Sequence, residues 1–537
     1  MSEQVREAMR WLLLPIPVEG EEEAVAGAES QLELIGVRPE DARAWVDLEL
    51  EAWRESGGPS KDLKAVVSAY LRAGDPDLGG KLSSAYFPLH ASLAAQPAMG
   101  HDTASAVLSH ARLMALLARE ENLTAAQIAK LVSARDRRTP LAWRQVKPVL
   151  AKLKVAPSLD LAEVEALYEA DERQEVDAFA DADEMACNET LAAVAKRLGY
   201  PGDLAEPLRA LLPADATPFG PYLQILHFQC VIAEHYDHSL SNLYEFNPRG
   251  KTPKWLFERY PSSLEVRGNP FLNNAKSVDE LNEDWARSKK PERRRQAYAL
   301  VAVIEGLDSL GYSARRELAA WLRRLLVRRI RIAKGHQVKL PKALTAANAT
   351  AVLKAIAAGE TSTWGILEQR VVDAVASLRH PSPEWLGRGL LDSVNATNVS
   401  RRKCGDCDFQ NATEAKVIAY EAHAGKLTDP YVQGHLRTLE AVLALRAVEW
   451  EENVGPGLKW EVTVTFVAHE VEVSALPTVQ IGDATVRIEA IDYSAFLKGL
   501  TGGSAGVKGA VNRYVREPLA APRTPDSVRA KLLAILP

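Results

Sequence analysis

Asp408 to His423 reads DFQNATEAKVIAYEAH, and this stretch restricts the chain more than any other. A carboxylate opens a short polar run and a turn-like segment follows. The apolar run Lys416-Val417-Ile418-Ala419-Tyr420 then ends on Glu421-Ala422-His423. The pattern predicts an antiparallel hairpin turning near Thr413 to Ala415, which sets Asp408 opposite Glu421 at the open end. Two carboxylates side by side there make an oxygen-rich pocket suited to Mg²⁺, which needs few protein ligands and keeps several waters. His423 points to the same strand face and can orient or activate a water. The expected cofactor is therefore Mg²⁺, with Mn²⁺ as its substitute, and the expected metal ligands are Asp408 and Glu421.

The elements around the hairpin come in an informative order. Helices are expected over 346–358 and 362–379, the second carrying Glu368, followed by a strand over 389–394 and the hairpin. A helix from Tyr431 to Trp450 comes next. Two strands follow, over 459–471 and 485–493, where Val462, Val464 and Phe466, then Val486, Ile488 and Ala490, alternate. An acid, a hairpin and (D/E)-x-basic within a helix, three-strand meander, helix and strand resembles the PD-(D/E)XK nuclease superfamily, over roughly residues 345–495. The resemblance implies that Asp408 is the first metal-binding acid and Glu421 the second, with twelve residues between them. His423 stands where that family usually has lysine. Glu368 resembles the family's helix glutamate, an outer metal ligand, and Gln433 resembles a glutamine on the following helix. A second registration reads Glu414-Ala415-Lys416 as E-x-K, with Asp392 or Asp408 as first acid, and makes Lys416 a candidate catalytic residue. The implied activity is metal-dependent hydrolysis of DNA phosphodiester bonds by a restriction or phage-defence endonuclease. The implied partners are DNA, a second copy of the chain, and a cognate methyltransferase or defence-system protein.

At 537 residues, two to four domains are expected. The fold class is a multidomain chain, mainly α in its N-terminal and central regions, with a C-terminal α/β restriction-endonuclease-like domain whose mixed central sheet is flanked by helices. The expected divisions are a helical region over 1–100, a helix-turn-helix candidate over 101–158 and a helical region with an acidic segment over 159–260. A basic DNA-contacting region over 261–345 and the nuclease-like domain over 346–537 complete them. Four cysteines do not make a disulfide framework, and neither a signal peptide nor a membrane span is read, so a cytoplasmic location is expected.

In the helix-turn-helix candidate, Thr124 caps a first helix, a polar turn runs from Arg135 to Thr139, and Arg144 and Gln145 point outward from the second helix. Residues 160–184 hold eleven acids against Arg173 alone, the pattern of a solvated face, while 287–342 hold sixteen Lys/Arg against four acids. Ser277 with Glu280 three residues later reads as a capping box. The helix expected over 313–334 carries Arg315, Arg316, Arg323, Arg324, Arg328, Arg329 and Arg331 around an apolar stripe, a cost that DNA phosphates or an acidic helix would offset. Two other functions fit these features. One is a non-catalytic DNA-binding regulator with a degenerate nuclease fold, the other a helical scaffold of a defence or repair complex.

Overall fold

The computed structural model describes residues 2–17, 19–73, 76–97, 99–136, 141–213, 217–264, 268–276, 278, 280–500 and 503–537. Ser277 of the expected capping box and positions 137–139 of the expected turn lie outside these residues. Buried apolar side chains from Val5 to Leu153 share one core, so the divisions expected at 1–100 and 101–158 are packed as one helical body. A second core runs from Val164 to Ile330, again without a break near 260. No helix among the described residues is long and apolar enough to cross a membrane.

Within the second body the basic and acidic segments pack on each other. The helix Leu161–Phe179 lies along the helix Tyr312–Lys334, and Asp171 and Glu175 are buried rather than solvated. Arg323 meets Asp171 at 2.8 Å and Glu234 at 2.9 Å. Arg331 pairs with Glu175, Arg329 with Glu184, Arg316 with Glu234 and Arg315 with Asp237. Arg328 donates to the Ala182 carbonyl and Arg324 to Gln174. All seven arginines are thus directed at protein partners, supplied by the acidic helix, by Ala182 and Glu184 just after it, and by Glu234 and Asp237. Exposed basic surface in this region lies instead around 287–295, at the start of the helix Pro291–Asp308.

The two helical bodies meet at Glu245, which accepts from the Ala125 and Ala126 amides at the first turn of the helix Ala125–Arg135. Burial pushes this carboxyl up, the two amides partly oppose it, and the outcome is about 7. Between its ordinary value of 4.5 and 7, the folded chain holds a proton there that the unfolded chain has lost. Stability from this group is therefore complete below the lower value, falls as pH rises through the window and is level above it. Glu245→Gln is expected to flatten that slope, by about 3 kcal/mol at most between pH 4.5 and 7. Urea denaturation of both forms at several pH values checks it.

The C-terminal domain is built on a six-stranded sheet: β1 Leu386–Arg388, β2 Cys407–Asn411, β3 Lys416–Thr428, β4 Trp460–Glu472, β5 Thr478–Ile481 and β6 Ala484–Asp492, in the order β1-β2-β3-β4-β6-β5. The first three form an antiparallel meander. The helix Asp429–Asn453 then crosses over, so that β4 runs parallel to β3, and β6 parallel to β4. β5, unforeseen in the sequence, pairs antiparallel with β6 at the edge. The helix Ile366–Arg379 covers one face and the crossover helix the other, so β4 is apolar on both sides, with Val462, Val464 and Phe466 under the crossover helix and Val467 opposite. The strand expected over 389–394 is displaced to β1. Residues 389–394 turn instead, starting at Gly389 with φ of +79°.

Candidate active site

The hairpin turns where the sequence indicates. Asn411 Oδ1 accepts from the Thr413 and Glu414 amides at 3.1 Å each, and Ala415 takes φ of 51°. Register decides what faces what. Asp408 pairs with Ala419 and Cys407 with Tyr420, so one further step sets Asp406, not Asp408, opposite Glu421. The Ala422 amide donates to Asp406 Oδ2 at 2.8 Å, and Gly405 lies so close to β3 that a Cβ there would stand 2.6 Å from the Tyr420 carbonyl oxygen. Strand alternation turns Asp406, Asp408 and Gln410, with Val417, Ala419 and Glu421, toward the crossover helix.

Asp408 is engaged in a structural bond. Fully buried, it accepts from the Cys404 amide at 2.8 Å and pairs with Arg446 of the crossover helix at 3.2 Å. Arg446 and Trp450 Nε1 both donate to Gln410 Oε1. The expectation that Asp408 is a metal ligand is corrected, because its oxygens already face a guanidinium and an amide.

Glu421 is held differently. The Tyr431 hydroxyl donates to its Oε1 at 3.1 Å, and His435 Nδ1 lies 3.6 Å from the same oxygen. Oε2 is buried with no hydrogen-bond partner. Burial opposes the charge on Glu421, but His435, Lys403 and the Tyr431 hydroxyl together draw the carboxyl below its ordinary value. Burial works against the His435 cation, yet Glu421 raises the imidazole. Burial and the neighbouring Glu421 charge push Asp406 upward, so the pair keeps its negative charge on Glu421. Two facing carboxyls that resist being ionised together, one with an orphaned buried oxygen, are a donor set that a hard divalent cation relieves. On that ground the residues present fit Mg²⁺ or Mn²⁺, through Asp406 and Glu421 with water completing the shell. Among the described residues, no group of three or more His, Cys, Asp or Glu is arranged to hold a metal ion.

The other expected site residues fall in several places. His423 lies two residues along the same face, half exposed, its ring 4.3 Å from that of Tyr431. Its Nε2 contacts the Lys426 carbonyl at 3.1 Å; since a carbonyl only accepts, Nε2 carries the hydrogen and Nδ1 the lone pair in the neutral ring. Lys416 does not join the site. It is paired with Glu414 at 2.9 Å at the hairpin's far end, roughly 16 Å along β3 from Glu421 at 3.3 Å per residue, and on the opposite face. That exposed pair also removes the second registration. Glu368 is buried in the first turn of its helix and accepts from the Thr361 amide and hydroxyl, each at 2.9 Å. Its charge and that of Asp406 both bear on Tyr493, whose buried hydroxyl has no hydrogen-bond partner. Gln433 is exposed on the crossover helix.

The expected DNA-reading helix is the helix Trp143–Leu153. Arg144 is exposed on it, but Gln145 accepts from the Ala142 amide at 2.7 Å as that helix's own cap, and Lys147 donates to the Tyr244 carbonyl at 2.6 Å. Outward display of Gln145 is therefore corrected. The residues that sequence reasoning missed are Asp406, Tyr431, His435 and Lys403. Tyr431 and His435 lie four apart at the start of the helix that follows Glu421, a spacing that places both on one face.

Comparison with family models and with curated proteins finds no match to this chain.

Proposed function

We propose that the C-terminal domain is a divalent-cation-dependent phosphodiester hydrolase acting on DNA, an endonuclease of restriction or phage-defence type. The observation that carries this reading is the Asp406–Glu421 pair at the open end of the hairpin, with an unsatisfied oxygen on Glu421. The order of elements supports it: a helix, an antiparallel meander, a crossover helix and a parallel strand resemble the PD-(D/E)XK arrangement.

Asp406 and Glu421 would hold the cation. When bound, the ion supplies Lewis acidity toward a phosphate oxygen and a water. The chain's own residues do the rest. Tyr431 and His435 fix Glu421 Oε1, and the Ala422 amide fixes Asp406 Oδ2. His423 Nδ1, on the same face, is the base that takes a proton from the attacking water. Cutting both strands takes two such sites, so the reading carries a homodimer. Phosphate contact is assigned to the exposed basic run around 287–295, not to the paired arginines of the helix Tyr312–Lys334.

Incubating the protein with modified and unmodified plasmid, in Mg²⁺ or in EDTA, tests the reading. Nicking or linearisation in Mg²⁺ alone is expected. A folded protein that cuts neither plasmid overturns it.

A further inference from the structure

We propose that Lys403 is a second positive group of this carboxylate site, beside His435, and a positioning residue that anchors the Asp406 backbone and offsets the charge of the Asp406–Glu421 pair. The inference rests on the divalent-cation reading of the domain and adds to it the cation that neither His423 nor Lys416 supplies from the strand.

Lys403 follows the short helix Asn398–Arg401 and has no exposed surface. Its Nζ donates to the Asp406 carbonyl at 3.1 Å and lies 3.8 Å from Asp392 Oδ2. The ammonium charge acts on Asp406, Glu421 and Asp373 together, lowering each carboxyl from where burial alone would leave it. A buried lysine with a single backbone acceptor is costly unless several carboxylates surround it. Gly389 closes over the stem. At its φ of +79° a Cβ would press on the Asp406 carbonyl and stand 2.9 Å from Lys403 Cδ.

The wall behind Lys403 is set from outside the C-terminal domain. Asp181, in the turn after the acidic helix, accepts from the Val394 amide at 3.1 Å and pairs with buried Arg370 at 2.9 Å. Arg370 also pairs with Asp373 at 3.0 Å and donates to the Asp392 carbonyl. Asp373 in turn accepts from the Leu391 amide at 3.3 Å. The segment that aims Asp392 at Lys403 is thus held by one buried network whose first member belongs to the middle helical body.

If Lys403 offsets charge at the site, removing its charge should strengthen cation binding while weakening turnover, which a loss of packing alone would not do. Mn²⁺ binding to the full-length chain, followed by electron paramagnetic resonance of the free ion, is the readout, with plasmid nicking beside it. Lys403→Gln is expected to bind Mn²⁺ roughly tenfold more tightly and to nick roughly tenfold more slowly, with Lys403→Arg close to the parent in both. Should Lys403→Gln not fold, Asp392→Asn takes its place. It frees the ammonium to act on the pair and is expected to weaken Mn²⁺ binding roughly threefold. Unchanged or weaker Mn²⁺ binding in Lys403→Gln, or unchanged binding in Asp392→Asn, overturns the inference. A parent chain that binds no Mn²⁺ removes the cation reading and this inference together, whereas normal parent binding with unaltered variants removes this inference alone.

Discussion

Glu421→Gln is expected to lower Mg²⁺-dependent plasmid cleavage by roughly a thousandfold, the scale of losing a principal charge-stabilising contact. The substitution keeps the shape and an acceptor for the Tyr431 hydroxyl, so the fold should survive. It removes the charge that Glu421 retains and Asp406 gives up. Asp406→Asn should act in the same direction, because the two carboxyls together make the proposed donor set. Initial nicking rates, at protein concentrations giving equal folded fractions, measure the effect. Cleavage by Glu421→Gln within tenfold of the parent would remove this pair from the chemistry.

Asp408→Ala is expected to act on stability instead. It leaves the Arg446 guanidinium, 1 % exposed, without its buried charge partner and with only the more distant Glu449 at 3.8 Å, a loss of about 3–5 kcal/mol for a broken buried pair. Urea denaturation should show a lower midpoint at similar slope. Replacing both partners with apolar residues of similar volume, as in Asp408→Leu with Arg446→Met, should recover most of the loss, since desolvation largely cancels the pair's attraction. At low temperature, cleavage per folded molecule should stay near that of the parent. A stable Asp408→Ala protein without activity would exchange the roles of Asp406 and Asp408, making the latter the metal ligand.

That contrast also shows how far the sequence was legible. The apolar run Lys416–Tyr420 ending on Glu421-Ala422-His423 located the strand, the polar segment before it located the turn, and the faces followed from strand alternation. Alternation cannot fix register to better than two residues, because a shift of two returns each side chain to the same face. Asp406 and Asp408 therefore met the pattern equally well. The choice was made by Asn411 capping the turn and by Arg446 arriving from 38 residues downstream. The arginine helix carried the same kind of ambiguity. Its composition specified anionic partners without saying whether they were phosphates or the carboxylates of Asp171, Glu175 and Glu234, which only packing could decide. Lys403 carried no strand signal, since it is placed by a loop and reaches the site through its side chain.

In the proposed site, Asp406 and Glu421 together hold one divalent cation. Calorimetric titration of Mn²⁺ into the parent chain and into the Asp406→Asn, Glu421→Gln double variant decides whether they do. One ion bound per parent chain, with that binding lost in the double variant, is the expected result. A double variant that binds Mn²⁺ as the parent does, or a parent that binds none, would contradict it.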